Sequence, residues 1–209
     1  MNILEDSFSD LLLKEPFFLL VKPEDNIYSN TSIRNLFFEE LGILVKLGLK
    51  NIEISWSNNE KWLDFVSEIK LNFPQINLGS ASILNKQSIE DSLKIGLNFS
   101  MMKFWDKDLF NYSKSKNYLL IPGIKNLKDL EEAINLNCKI VKIYPIKSKA
   151  ASSIDILNFK SIDFIAAGGL SINDVKTYQS LGYKAIVIGD KGIIKKKFDP
   201  KIYEWLKNN

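Results

Sequence analysis

The sequence predicts an α/β fold, a (β/α)8 TIM barrel preceded by an N-terminal helix, with 1–209 forming one domain. Three observations predict it. Eight short runs are rich in β-branched and aromatic residues, helical periodicities fall between most of them, and no Pro/Gly/Ser-rich linker interrupts the 209 residues. A doubly wound sheet usually has five or six strands, so eight strand candidates favour the barrel.

An amphipathic stretch at 5–14 is placed as a helix closing the barrel bottom. Phe17-Phe18-Leu19-Leu20-Val21 is a continuous apolar run, as in a strand buried on both faces. Helical spacing runs from Thr31 to Leu47, with Asn30 or Thr31 as cap, Ile33, Phe37, Leu41, Leu44 and Leu47 on the apolar side, and Gly48 as the stop. Asn51–Trp56 is the second strand, and 58–72 reads as a helix with Trp62, Phe65 and Ile69 on one side. Strands follow at 76–80, 97–101, 118–121, 140–144, 163–166 and 185–188. Helices fill 85–95, 106–116, 126–136, 173–181 and 199–207. Between Tyr144 and Asp163 there is room for one short helix, around 153–158. The run Lys195-Lys196-Lys197 is read as a solvated patch.

Composition excludes several chemistries. There is no histidine, one cysteine (Cys138) and one arginine (Arg34). Ser-His-Asp and Cys-His nucleophile systems are excluded, as are histidine zinc sites and a four-cysteine site. No metal ligand set is therefore read. The net charge of +3 does not by itself call for a nucleic-acid partner. Acidic residues Glu5, Asp6, Asp10 and Glu15 argue against a signal peptide, and no uncharged apolar run approaches the roughly 18 residues of a membrane span. A soluble cytoplasmic protein is the expectation.

Two strands carry a charge inside an apolar pattern: Glu53 within Ile52-Glu53-Ile54, and Lys142 within Ile140-Val141-Lys142-Ile143. Burial in a barrel lowers a lysine pKa and raises a glutamate pKa. The first gives a nucleophilic amine able to form a Schiff base, the second a proton carrier near neutral pH. The alternative from pattern alone is that both are strand-end charges reaching solvent. Glycine turns, Gly168-Gly169 after the seventh strand and Gly189 after the eighth, offer backbone N–H groups for a phosphate or serve as ordinary turns.

The order of these motifs resembles the 2-keto-3-deoxy-6-phosphogluconate aldolase / 4-hydroxy-2-oxoglutarate aldolase family, class I aldolases on a small barrel. Leu47–Ile54 resembles the family's second strand with its proton-relaying glutamate at Glu53. Gly79-Ser80-Ala81-Ser82-Ile83-Leu84 resembles Gly-Ala-Gly-Thr-Val-Leu, and Ser82 falls on the threonine that helps hold pyruvate. Ile121-Pro122-Gly123-Ile124 matches the strand-five turn. Val141–Pro145 matches the strand with the Schiff-base lysine, at Lys142, and Gly168-Gly169-Leu170-Ser171 resembles the phosphate-binding turn. The resemblance implies Lys142 and Glu53 as catalytic residues and Ser82, Pro122, Gly123, Gly168, Gly169, Gly189 and Lys191 as substrate-binding. It also implies a small 2-oxo acid substrate, no metal or organic cofactor, no nucleic-acid or membrane partner, and a homotrimer.

There are departures. The family arginine four residues after the glutamate, which grips the substrate carboxylate, is Ser57 here, and a serine supplies no charged bidentate clamp. The Ser-Pro-Gly after strand four reads Ser100-Met101-Met102, and the Gly-Gly-Ser after strand eight reads Gly189-Asp190-Lys191. Arg34 is a candidate replacement cation, with Lys103, Lys147 and Lys191 as further ones. The expected activity is cleavage of a 2-keto-3-deoxy (phospho)sugar acid or of 4-hydroxy-2-oxoglutarate to pyruvate plus an aldehyde or glyoxylate. Two alternatives stay open here: another phosphate-binding barrel enzyme, and a divergent barrel with weakened catalysis.

Overall fold

The computed structural model describes residues 8, 10–12, 15–194 and 197–208. Nine parallel strands form one sheet: β1 (Phe17–Val21), β2 (Asn51–Ser55), β3 (Asn77–Ile83), β4 (Phe99–Met102), β5 (Leu120–Ile121), β6 (Gly123–Ile124), β7 (Ile140–Ile143), β8 (Asp163–Ala167) and β9 (Ala185–Ile188). The order is β5-β4-β3-β2-β1-β9-β8-β7-β6. Its two ends, β5 and β6, are halves of one stretch split at Pro122. Proline has no N–H to give a ladder, so the stretch breaks there, and chain continuity closes an eight-stranded barrel. The Pro122 carbonyl still accepts from Lys142 N (2.8 Å), which ties β7 to the break.

The helices are α1 (Asp25–Ser29), α2 (Thr31–Lys46), α3 (Trp62–Asn72), α4 (Lys86–Ile95), α5 (Lys107–Ser115), α6 (Leu127–Asn135), α7 (Val175–Ser180) and α8 (Pro200–Asn208). Side-chain caps start several of them: Asn30 accepts from Ile33 N, Asn85 from Ser88 N, Asp106 from Leu109 N and Asn126 from Asp129 N, at 2.9–3.1 Å. Among the described residues no helix is long and apolar enough to cross a membrane.

Several expectations shift. α3 begins at Trp62, after a turn, rather than at 58. β3 runs on to Ile83 and so includes Ser82. The stretch 144–163 holds two 3-10 turns, Ala151–Ser153 and Ile156–Asn158, and no α-helix. The short helix α1 and a small hairpin, β10 (Ile193–Ile194) with β11 (Lys197–Phe198), are additions. Of the expected 5–14 helix, residue 8 and residues 10–12 are helical and the rest lies outside the described residues. So do Lys195 and Lys196, while Lys197 is exposed.

Strand alternation divides the core. Ile52, Ile54, Val141 and Ile143 point outward and pack under the helices. Phe18, Phe99, Met101, Ile121, Ile140 and Ile165 fill the bore, with Phe8 and Leu12 beneath. Gly79 belongs to this layer by necessity, since a Cβ there would lie 2.4 Å from the Phe99 ring.

Candidate active site

Because Ile52 and Ile54 face the helices, Glu53 between them must face the bore, and Lys142 follows the same rule between Val141 and Ile143. β2 and β7 stand four strands apart in a ring of eight, so the two side chains approach from opposite walls. Both line one cavity of about 350 Å³ at the C-terminal strand ends. Glu53 is fully buried, and among the described residues neither carboxyl oxygen has a hydrogen-bond partner. Lys142 is 6% exposed. Desolvation pushes the Glu53 carboxyl up to about 7, with the lysine charge acting in the opposite sense. Desolvation likewise pushes the Lys142 amine below its usual range, against the pull of Glu53. An amine that sheds its proton readily and a carboxyl that exchanges one near neutrality thus share one pocket.

Ser82 also lines this cavity. It is a non-glycine residue with φ of 62°, next to a register shift between Ser80 and Ile83. The irregularity ends the alternation and leaves the Ser82 hydroxyl within reach of Ser55, whose Oγ donates to it at 3.0 Å. Gly168 and Gly169, at φ 114° and 66°, form the turn after β8. A Cβ on Gly168 would come within 3.3 Å of Pro145, so this position requires both the left-handed backbone and the missing side chain. Lys147 Nζ donates to the Gly169 carbonyl (3.1 Å), and Ser171 gives its N–H and Oγ to Asp174. Gly189, Asp190 and Lys191 line the cavity after β9. Lys22 reaches across from β1 to Asp190, with Nζ 2.8 Å from Oδ1.

Other expected residues lie elsewhere. Arg34 pairs with Glu68 and covers the Phe65 ring, and Ser57 shares a hydrogen bond with the Tyr28 hydroxyl. Neither lines the cavity. Pro122 and Gly123, expected to bind substrate, do not line it either. A Cβ at Gly123 would be 2.6 Å from the Met102 and Lys103 carbonyls, so the glycine lets the exit of β4 press against β6. Ser100 points outward from β4, away from the cavity, into a buried set of hydroxyls with Ser80 and Tyr118. Ser55 and Tyr144 line the cavity without having been singled out. Each sits two residues after a bore-facing charge, so the two-residue period of a strand points to both. Lys22, the first residue after β1, had no comparable signal.

A family model described as "Aldolase: KDPG and KHG aldolase" matches residues 37–202. A 2-dehydro-3-deoxy-phosphogluconate aldolase of Pseudoalteromonas atlantica is 24% identical over 141 residues, 66% of this chain. The match spans 65% of that relative's own length, just under two thirds. Among solved structures, the 2-keto-3-deoxy-6-phosphogluconate aldolase of Zymomonas mobilis superposes with a TM-score of 0.76 at 20% identity, covering 95% of this chain and 93% of that one. The KDPG aldolase of Legionella pneumophila, captured with pyruvate as a covalent carbinolamine, also gives 0.76, at 15% identity and 96% coverage of both chains.

Proposed function

The chain belongs to the KDPG and KHG aldolase family, and from that premise we propose that it is a class I carbon–carbon lyase acting on a 2-oxo acid through a Schiff base on Lys142. The observation that carries this reading is the meeting of Lys142 and Glu53 in one cavity, both buried, with the amine pushed down and the carboxyl pushed up by desolvation.

In the proposed sequence the Lys142 amine attacks the substrate C2 carbonyl. Glu53 delivers a proton to the carbinolamine hydroxyl, water leaves, and an iminium remains. The Glu53 carboxylate left by that step takes the C4 hydroxyl proton, and the C3–C4 bond electrons flow into the iminium. An aldehyde departs, and the enamine of pyruvate stays on the lysine. Glu53 protonates the enamine carbon, and hydrolysis returns pyruvate and the free amine. The Ser82 and Ser55 hydroxyls stand at the rim to orient the acid.

The substrate class is a 2-keto-3-deoxy sugar acid, with or without phosphate, or 4-hydroxy-2-oxoglutarate, which yields glyoxylate. Asp190 beside Gly189 would repel a phosphate, but it is paired with Lys22 and followed by Lys191, which would attract one, so phosphorylated and unphosphorylated acids both belong to the expected class. The assembly that goes with this reading is a homotrimer, and the compartment is the cytoplasm. Incubation with pyruvate, borohydride reduction and peptide mass mapping test it. An adduct on Lys142 is expected, and an unmodified Lys142 would sink the proposal.

A further inference from the structure

A 2-oxo acid brings a carboxylate into a site whose expected arginine position is a serine. Desolvating that carboxylate needs a cation. Among the described residues, four lysines line the cavity: Lys22, Lys103, Lys142 and Lys191. Lys142 is the proposed nucleophile, and Lys22 is already committed to Asp190. Lys191 follows β9 and bears electrostatically on Asp174. Lys103 follows β4, four strands away from β9 around the ring, and has no carboxylate partner among the described residues.

Lys103 is also the one with a built-in position. Its N–H donates to the Ile83 carbonyl (3.3 Å), directly after Ser82, which ties its backbone to the end of β3, and Lys103, Ser82 and Ser55 line the same cavity. The close approach at Gly123 fixes its backbone from the other side. Its ammonium lies 5.5 Å over the Phe104 ring, and Phe104 in turn meets Tyr144 at 6.0 Å. Tyr144 is two residues beyond Lys142 on the same cavity wall. An aromatic shelf therefore joins the lysine of β4 to the lysine of β7, and a cation over a ring face is held in orientation without being neutralised.

We propose that Lys103 grips the C1 carboxylate of the substrate, with Ser82 and Ser55 beside it, in place of the arginine that Ser57 does not provide. This inference rests on the 2-oxo acid reading above. It adds that carboxylate recognition has moved from the end of β2 to the end of β4. A lysine is a compact point charge rather than a fork, so it selects for a carboxylate through charge and leaves its orientation to the serines.

Borohydride trapping of two ketones separates the roles. Pyruvate carries the carboxylate, and hydroxyacetone is a neutral ketone of similar size. In Lys103→Met the half-saturating pyruvate concentration is expected to rise roughly 10- to 100-fold, the span of one charge-assisted hydrogen bond. Trapping of hydroxyacetone is expected to stay within about twofold, and Lys103→Arg to restore most of the pyruvate effect. Unchanged pyruvate saturation in Lys103→Met, or equal losses for both ketones, would overturn the assignment. Titration with lactate, which has the carboxylate and no ketone, reads the same lysine without any lysine adduct. Lactate binding lost in Lys103→Met supports the grip even if Lys142 forms no adduct. Lactate binding unchanged by the substitution, or absent in the unsubstituted protein, refutes it.

Discussion

Glu15 and Glu53 are two buried carboxyl groups at one strand, Glu15 against the start of β2 and Glu53 at its middle, and burial pushes both up to about 7. Their surroundings differ. Glu15 accepts from the backbone N–H groups of Lys50 and Asn51 at 2.7 and 2.8 Å, and its own carbonyl accepts from the Asn51 side chain. Glu53 has no partner on either oxygen among the described residues and lines the cavity. The same titration behaviour accompanies two jobs: Glu15 fastens the start of β2 to the chain ahead of β1, and Glu53 is left free to exchange protons. A perturbed carboxyl alone therefore does not mark a site. Unspent hydrogen-bonding capacity facing a cavity does.

Substitutions can break this contrast in graded steps. The largest expected effect belongs to Lys142→Met, which should abolish both the pyruvate adduct and retro-aldol turnover, a fall of at least about 10³-fold. Its Tm should not drop, because a desolvated amine is replaced by an apolar chain of similar length. Turnover surviving in this variant would mean that Lys142 is not the nucleophile.

Glu53→Gln comes next, with turnover down roughly 10²- to 10⁴-fold, the usual range for a lost acid–base group. Its stability should depend on pH. The folded-state pKa of about 7 lies above the ordinary 4.5, so Glu53 favours the fold below pH 4.5 and loses that contribution as pH rises through 7. Measured in the Lys142→Met background, which removes the opposing charge, the Tm gain from Glu53→Gln should be near zero at about pH 4 and largest at about pH 8. A gain that is flat with pH would contradict the raised pKa.

Glu15→Leu should do the reverse. Two backbone N–H groups lose their acceptor at a cost of about 2–5 kcal/mol, or roughly 4–20 °C in Tm for a chain of this size. Adduct formation at 25 °C should stay within about threefold. A variant that keeps its Tm but loses activity would erase the distinction between the two carboxyl groups.

Much of this was legible in the residues. β1 and β9 have the bounds their apolar runs suggest. Glu53 and Lys142 stand out because each interrupts a β-branched run in which alternate positions take opposite faces. What escaped depends on long-range packing. Arg34 is consumed by Glu68, 34 residues on. Ser100 looks like a turn residue but joins Ser80, Ser92 and Tyr118 in a hydroxyl set behind β3 and β4, where every hydroxyl finds a partner. The five-residue helix α1 is too short to show a period. The break at Pro122 follows from its missing N–H, yet which neighbours the two halves choose is decided only when the ring closes. Lys103 has the same character. Its place depends on Gly123, twenty positions later, admitting the backbone of β4.

The aromatic filling of the bore has a consequence for traffic. Phe8, Phe18 and Phe99 pack against one another in the bore, with ring centroids 4.8–5.8 Å apart. The cavity is thus a blind alley with one door. In the proposed reaction, the water expelled as the iminium forms, the water that later hydrolyses it, the departing aldehyde and the pyruvate must all pass the same lysine-lined rim. In that proposed sequence the shared door admits them one after another: the aldehyde leaves while pyruvate is still tethered to Lys142, and water must return through the space it vacates.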